Sequence, residues 1–274
     1  MILAAGRGER MRPLTDTTPK PLLRLRGQAL IEWHLHALAA GGVREVLINT
    51  AWLEEQFPAT LGDGARYGLQ LHYSMEGRDH GGALETGGGI AKALPWLTAA
   101  GDEAFWVVSA DVFMPDFRFD PALAQAFAAS DRLAHLWLTD NPPHKPQGDF
   151  GIGADGLALS GEAVQPRYTW TCAGLFKAAL FRDIPVGTVQ PLRPALERGI
   201  AEGTLDKDGA SLALWALDRN ENLARGLRVE VLRPEEGSPA HGSYNSATRI
   251  AKLFQGNDNP QTAMHEILHH AERM

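Results

Sequence analysis

Short apolar runs alternate with helical patterns from the start of the chain to residue 202. The apolar runs have the length of buried strands, and they lie at residues 1–5, 45–51, 69–73, 104–110, 134–138 and 173–176. Helical patterns lie between or after them, at residues 31–40, 54–61, 87–97, 121–130 and 192–202. Strands that alternate with helices usually lie parallel in one sheet with helices on both faces. The chain is therefore predicted to be an α/β protein, a Rossmann-like three-layer α/β/α sandwich with a mainly parallel, mixed sheet.

Charge and composition narrow the classes of partner. The chain has 274 residues and a net charge of −7, so it has no general basic field for nucleic acid or for an anionic membrane. No apolar run is long enough to span a bilayer, and the apolar N-terminus is too short for a signal peptide. Cys172 is the only cysteine, which excludes an intrachain disulfide. We expect a cytoplasmic protein that binds small molecules.

The alternating pattern weakens in the last quarter of the chain. A turn-rich stretch after Asn141 predicts a hairpin or an excursion from the sheet, and the helical pattern that begins at Leu192 is the last strong one. From about residue 206 the sequence looks like a linker with at most one short terminal helix. We therefore predict a catalytic-type domain at residues 1–205 and an atypical, linker-like and partly helical segment at residues 206–274.

A glycine-rich turn follows the first apolar run, in the stretch "MILAAGRGERMRPLT". Such a turn places backbone N–H groups where they can contact phosphate oxygens. The P-loop pattern G-x-x-x-x-G-K-[ST] is absent, and the dinucleotide pattern G-x-G-x-x-G fails because Met11 occupies the third glycine position. A nucleotide-binding dehydrogenase is accordingly a distant alternative. The turn still indicates a site for a polyphosphate.

The N-terminal signature L-A-A-G-x-G-x-R-M-x-P-L-T, followed by P-K-P, resembles that of the sugar-1-phosphate nucleotidyltransferases. "LIEWHLHAL", "LETGGGI", "FWVVSAD" and "GDF" are also similar to stretches of that family, and the resemblance covers about residues 1–200. It implies a nucleotide-diphospho-sugar transferase fold with a nucleoside triphosphate and a sugar 1-phosphate as substrates. "LETGGGI" looks most like the branch that makes UDP-N-acetylmuramic acid from N-acetylmuramate α-1-phosphate in cell-wall recycling.

The resemblance also implies roles for individual residues. Arg10 and Lys20 would offset the charge of the triphosphate, Glu85 would accept a hydrogen bond from base or ribose, and the adjacent glycines would let a flat base approach. The implied nucleotide-binding residues are Ala5, Gly6, Gly8, Glu9, Arg10, Lys20, Glu85, Gly87 and Gly88. The implied sugar-binding residues are Ser109, Gly148 and Asp149, and the implied catalytic residues are Arg10, Lys20 and Asp111.

Asp111 is the candidate ligand for Mg²⁺. It ends the most apolar strand pattern of the chain, and carboxyl ends of central strands are where open α/β sheets bind ligands. Mg²⁺ takes one or two carboxylates together with phosphate oxygens and water. The family's second ligand is an Asp in a C-terminal W-x-D-x-G-T. That motif is not found here, and its nearest counterpart is Asp218, one residue late after Trp215.

The expected reaction joins a sugar 1-phosphate to a nucleoside triphosphate, preferably UTP, and releases pyrophosphate. Its nucleophile is an ionised phosphate oxygen, so no general base is required. Within the family, the alternative is a guanylyl- or uridylyltransferase for another hexose or heptose 1-phosphate. From another class, the alternative is a regulatory module that binds nucleotide or sugar with impaired catalysis. The missing second metal motif favours that module, whereas Arg10, Lys20 and Asp111 oppose it.

Overall fold

The computed structural model describes residues 1–101, 104–153, 156–161, 164–201, 228–232, 242–245 and 250–254. Up to residue 201 the strands are β1 (Ile2–Leu3), β2 (Arg24–Leu25), β3 (Gln28–Ala29), β4 (Glu45–Thr50), β5 (Gln70–Met75), β6 (Ala104–Ser109), β7 (Ala134–Thr139), β8 (Phe150–Ile152), β9 (Ala158–Leu159) and β10 (Arg167–Lys177). The helices are α1 (Leu14–Thr17), α2 (Leu30–Ala40), α3 (Gln56–Leu61), α4 (Glu76–His80), α5 (Glu85–Leu97), α6 (Pro121–Ala129) and α7 (Arg193–Ala201).

The main sheet has eight strands, with the path β5-β4-β1-β6-β10-β8-β9 and with β7 paired to β10. The segment β5-β4-β1-β6 is parallel throughout, as expected for strands joined through helices. β10 runs antiparallel to β6, β7 and β8. The sheet is thus mixed, and its parallel half contains the strand that leads into the glycine turn.

Helices cover both faces of this sheet. One core contains residues of α2, α3 and α6, and the other contains residues of α5 and α7. Neighbouring strand residues alternate between the two cores: Val46 and Ile48 of β4 belong to the first, and Leu47 belongs to the second. The predicted three-layer sandwich is confirmed.

Local hydrogen bonds explain where two of the helices begin. The Glu32 carboxylate accepts a hydrogen bond from the Ala29 N–H at 2.7 Å, just before α2. The Asp120 carboxylate accepts one from the Ala122 N–H at 2.8 Å, and Pro121 occupies the first position of α6. Such side chains satisfy N–H groups that lack a partner within the helix. Among the described helices, none combines the length and the apolar character needed to cross a membrane.

The segment from residue 206 onward contains strands, which the sequence pattern did not predict. β11 (Arg228–Leu232), β12 (Gly242–Asn245) and β13 (Ile250–Phe254) form a separate three-stranded sheet in the order β11-β13-β12. Such short strands leave little room for a period-two signal in the sequence. The predicted short terminal helix and Asp218 lie outside the described residues.

Candidate active site

The carboxyl ends of three parallel strands meet at one edge of the sheet. Leu3 of β1 pairs with Asn49 of β4 on one side and with Ser109 of β6 on the other. The chain leaves β1 into the glycine turn and leaves β6 towards Asp111. Pairing of the strands therefore brings the phosphate-binding candidates and the metal-binding candidate together, although they are distant in sequence.

The glycine turn depends on Gly8. Its φ is +68°, and a Cβ at this position would lie 3.0 Å from Thr15 Cγ2 and 3.2 Å from Lys20 Cβ. The Thr15 hydroxyl donates a hydrogen bond to the Gly8 carbonyl oxygen at 2.8 Å, which holds the turn against α1. Both the left-handed conformation and the close approach favour glycine at this position.

Two of the three arginines in the turn maintain its structure. The Arg7 guanidinium lies 3.5 Å from the centroid of the Trp52 ring and donates hydrogen bonds to the Thr15 carbonyl oxygen at 2.8 Å and to Asp16 Oδ1 at 3.0 Å. Arg12 Nε lies 2.7 Å from the same Asp16 oxygen. The hydrogen bond from Arg7, supported by Arg12, holds the pKa of Asp16 below its usual value. These two arginines are already paired with an anion of the protein.

Arg10 differs from both. It lies in the 3₁₀ turn Glu9–Met11 and is exposed. Within the part of the chain that the structure describes, its guanidinium has no hydrogen bond and no ion pair. Arg10 is therefore the arginine of the turn whose guanidinium can form a bidentate contact with a phosphate.

Lys20, Ser109 and Asp111 form a direct contact group. Lys20 Nζ lies 2.9 Å from Asp111 Oδ2, and the Ser109 hydroxyl donates to Asp111 Oδ1 at 2.6 Å. Burial alone would raise the pKa of Asp111, but the Lys20 charge and the two hydrogen bonds outweigh it and bring the pKa below its usual value. Asp111 is thus held as an anion, while the Lys20 ammonium retains donors for a further oxygen.

The donor set around Asp111 fits Mg²⁺ that is shared with a nucleotide. Among the described residues, there is no group of three or more His, Cys, Asp or Glu side chains that could hold a metal ion. A single half-exposed carboxylate suits Mg²⁺, because this ion takes its remaining ligands from phosphate oxygens and water.

The glycines of "LETGGGI" lie inside α5 and not in a turn before it. α5 begins at Glu85, and Gly87, Gly88 and Gly89 are buried. A Cβ on Gly88 would lie 2.1 Å from the Thr188 carbonyl oxygen, and one on Gly87 would lie 2.8 Å from that of Gln190. The glycines thus allow residues 188–191 to pack on the helix start. Base binding by Gly87 and Gly88 stays a prediction.

Substitution of Gly88 by alanine tests the packing role. We expect Gly88→Ala to lower the free energy of unfolding by about 1–3 kcal/mol, because the new methyl group would overlap the Thr188 carbonyl. Urea unfolding measures this change. Gly82→Ala is the control, since a Cβ at Gly82 meets nothing within 4 Å. Unchanged stability of Gly88→Ala would show that residues 188–191 do not require this glycine.

Glu85 is exposed and has a φ of +61°, which is uncommon for a residue with a side chain. Its carboxylate has no hydrogen-bond partner within the described part of the chain. The strained backbone directs an unpaired acceptor outward from the start of α5. This fits a carboxylate that accepts from a ligand, as the sequence predicts for Glu85.

Gly148 and Asp149 lie beside the N-terminal half of β10. Asp149 Oδ2 lies 2.6 Å from Lys145 Nζ and accepts a hydrogen bond from the Trp170 N–H at 2.9 Å. Arg193 Nη1 lies 3.9 Å from Asp149 Oδ1. Sequence reasoning did not identify Lys145 or Arg193. The spacing of Lys145, four residues before Asp149, could have indicated the first, but nothing local indicates the second.

Cys172 is a free cysteine. It lies at an irregularity of β10 and has a φ of +62°. Burial raises the pKa of the Cys172 thiol to about 11, and the nearby charges of Asp111 and Asp149 contribute in the same direction. The thiol therefore stays protonated near neutral pH and is a poor nucleophile.

Comparisons with known proteins identify the family of this chain. The family model described as "Nucleotidyl transferase" matches residues 1–159. The chain is 47% identical over 197 residues to the N-acetylmuramate alpha-1-phosphate uridylyltransferase of Neisseria meningitidis, covering 72% of this chain and 82% of that protein. It is 32% identical over 170 residues to the protein of the same name from Caulobacter vibrioides, covering 57% of this chain and 65% of that protein.

A solved structure shows the same fold at lower identity. The inositol-1-phosphate CTP transferase from T. maritima superimposes with a TM-score of 0.57 and 17% sequence identity, covering 74% of this chain and 81% of that chain. The family match extends over more than half of the sequence and includes the glycine turn, Lys20 and Asp111. The chain belongs to the sugar-1-phosphate nucleotidyltransferase family.

Proposed function

We propose that this protein transfers a uridylyl group from UTP to N-acetylmuramate α-1-phosphate and releases pyrophosphate, as a step of cell-wall recycling. The observation that carries the reaction type is the contact between Lys20 and Asp111, which follows the end of β6, together with an Arg10 guanidinium that has no partner among the described residues. The names of the Neisseria and Caulobacter relatives support the choice of substrates.

The chemistry requires alignment of charges and little proton transfer. An oxygen of the sugar phosphate forms a bond to the α-phosphorus, and the bond from that phosphorus to the bridging oxygen breaks, so the electron pair leaves with pyrophosphate. The attacking oxygen is already ionised at neutral pH. Catalysis then depends on holding the two phosphates in line and on neutralising charge.

The described residues can hold the two phosphates in line and neutralise their charge. Arg10 would bind the leaving pyrophosphate, because its guanidinium has no partner among the residues that the structure describes. Lys20 would contact the phosphates on either side of the forming bond while it keeps its ion pair with Asp111. Asp111 would hold Mg²⁺ together with the nucleotide, and the ion, when bound, supplies positive charge to the phosphate oxygens.

A pyrophosphate-release assay with Mg²⁺ tests this proposal across UTP, TTP, GTP and ATP and across the common sugar 1-phosphates. We expect the highest turnover with UTP and N-acetylmuramate α-1-phosphate. Calorimetric titration of the same four triphosphates gives binding separately from turnover. Tighter binding of GTP than of UTP would support a guanylyltransferase instead. Triphosphate binding without pyrophosphate release from any pair would support the regulatory module.

A further inference from the structure

Glu76 carries a fully buried carboxylate near the two parts of the site that are assigned to the nucleotide, the glycine turn and the start of α5. Glu76 begins α4 and has no exposed surface. Its Oε1 accepts a hydrogen bond from Asn49 Nδ2 at 2.8 Å, and its Oε2 accepts one from the Leu84 N–H at 2.8 Å. Burial of a carboxylate is unfavourable unless such donors surround it. Both oxygens of Glu76 therefore have assigned partners, one on each side.

These two partners lead to different parts of the candidate site. Asn49 is also buried, and its Oδ1 accepts a hydrogen bond from the Ala4 N–H at 2.9 Å. Ala4 directly precedes the glycine turn, and Leu84 directly precedes Glu85. A continuous series of hydrogen bonds, here called the Asn49–Glu76 network, thus runs from the Ala4 backbone before the glycine turn to the Leu84 backbone before α5.

The hydrogen-bond network of Asn49 and Glu76 is tightly enclosed. A Cβ on Gly89 would lie 2.6 Å from Glu76 Oε1 and 2.8 Å from Asn49 Nδ2. On the far side, the Leu84 carbonyl oxygen accepts a hydrogen bond from the Gln190 N–H at 3.0 Å. The network therefore has little freedom to shift, and it lies beside the strained backbone of Glu85.

We propose that Asn49 and Glu76 are positioning residues that fix the separation of the phosphate-binding turn and the start of α5, and so set the affinity for the nucleotide. This rests on the proposed function, in which Arg10 contacts the phosphates and Glu85 contacts the base or ribose. A nucleotide must contact both loops at once. Pre-organisation of their separation avoids an ordering cost on binding.

The donor pattern explains why a carboxylate is needed at position 76. Asn49 Nδ2 and the Leu84 N–H are both donors, so the side chain between them must accept twice. Glutamine has the same shape but only one acceptor oxygen. In Glu76→Gln the amide nitrogen would face one of the two donors, and the hydrogen bond at that point would be lost.

Calorimetric titration of UTP, TTP, GTP and ATP against the full chain tests the proposal. We expect Glu76→Gln to weaken binding of the preferred triphosphate about tenfold, the effect of roughly one net hydrogen bond. Asn49→Ser interrupts the same hydrogen-bond network on the side of Ala4 and should weaken binding of the triphosphate similarly. In turnover, KM for the triphosphate should rise more than KM for the sugar 1-phosphate, a difference that a general loss of folded protein would not produce.

Glu54→Gln is the matched control. Glu54 is also buried, and its two oxygens accept the Gly77 N–H at 3.0 Å and the Arg78 N–H at 2.7 Å. This carboxylate holds α4 but does not connect the two loops. We expect Glu54→Gln to lower the melting temperature and to leave triphosphate affinity within about threefold of wild type, because loss of one such bond acts on folding and not on the site.

A double variant, Asn49→Asp with Glu76→Gln, tests the donor logic directly. The carboxylate introduced at position 49 accepts hydrogen bonds from the Ala4 N–H and from the amide nitrogen introduced at position 76. The amide oxygen at position 76 accepts a hydrogen bond from the Leu84 N–H, so the hydrogen-bond network is complete again. We expect affinity to return towards wild type. Wild-type affinity in both Glu76→Gln and Asn49→Ser, or equal losses in Glu54→Gln, would overturn the inference while leaving the proposed function intact. A wild-type protein that binds none of the four triphosphates would contradict both.

Discussion

Replacement of Arg10 by alanine is expected to lower turnover by about 30- to 1000-fold without unfolding the protein. A charge-assisted contact to a phosphate contributes roughly 2–4 kcal/mol at the transition state, which corresponds to that range of rates. The folded protein should tolerate the change, because Arg10 is exposed and its guanidinium has no partner in the described part of the chain. Pyrophosphate release measures the rate, and the melting temperature reports on folding.

Arg12→Ala is the control for this prediction. Arg12 lies in the same turn and carries the same charge, but its side chain is 58% exposed and pairs with Asp16. An exposed ion pair of this kind contributes little to stability. We expect turnover in Arg12→Ala to stay close to that of wild type, because the Arg12 guanidinium pairs with Asp16 and has no assigned contact with the reacting phosphates. Near-normal turnover in Arg10→Ala would remove Arg10 from the mechanism.

The sequence predicts the arrangement of the sheet edge because periodicity and motif spacing are local properties. The strand patterns around Val46 and Val107 and the glycine turn after β1 identify parallel strands whose carboxyl ends meet. Placement of Asp111 at this edge follows from that topology, whereas the roles of Lys20 and Ser109 come from the resemblance to the family. The 2.9 Å contact between Lys20 and Asp111 agrees with this reasoning.

The division of labour among the arginines could not be predicted in the same way. In the sequence, Arg7, Arg10 and Arg12 are three equivalent charges in one turn. The structure separates them, because Trp52 comes from a distant part of the chain to contact Arg7 and because Asp16 pairs with both Arg7 and Arg12. Only tertiary packing shows that, among the described residues, Arg10 is the arginine of the turn without a partner.

Buried polar networks are similarly invisible in the sequence. Asn49 and Glu76 belong to separate elements and resemble ordinary polar residues near the ends of a strand and at the start of a helix. Their connection to Ala4 and Leu84 depends on side-chain direction at the sheet edge. The packing of residues 188–191 against Gly88 of α5 is a long-range contact of the same kind.

Removal of the Asp111 carboxylate should have an effect as large as that of removing Arg10. We expect Mg²⁺ to bind weakly to the free protein and appreciably only with UTP, because one protein carboxylate leaves most of the coordination to phosphates and water. Asp111→Asn should abolish the UTP-dependent Mg²⁺ binding and lower turnover on the order of 100- to 1000-fold, since several kcal/mol of charge stabilisation would be lost. Calorimetric titration of Mg²⁺ with and without UTP, followed by pyrophosphate release, measures both effects.

Two further variants decide what the result means. Asp116→Asn changes an exposed aspartate close to Asp111 and should leave both measurements unchanged. Asp218→Asn should also change them little if the C-terminal segment has lost the second ligand of the family, as the absent W-x-D-x-G-T predicts. If Asp218→Asn is as damaging as Asp111→Asn, the segment still supplies a ligand, because two carboxylates hold Mg²⁺ more firmly than one. If neither substitution matters, the contact between Lys20 and Asp111 is only structural, and the proposed metal-assisted transfer fails with it.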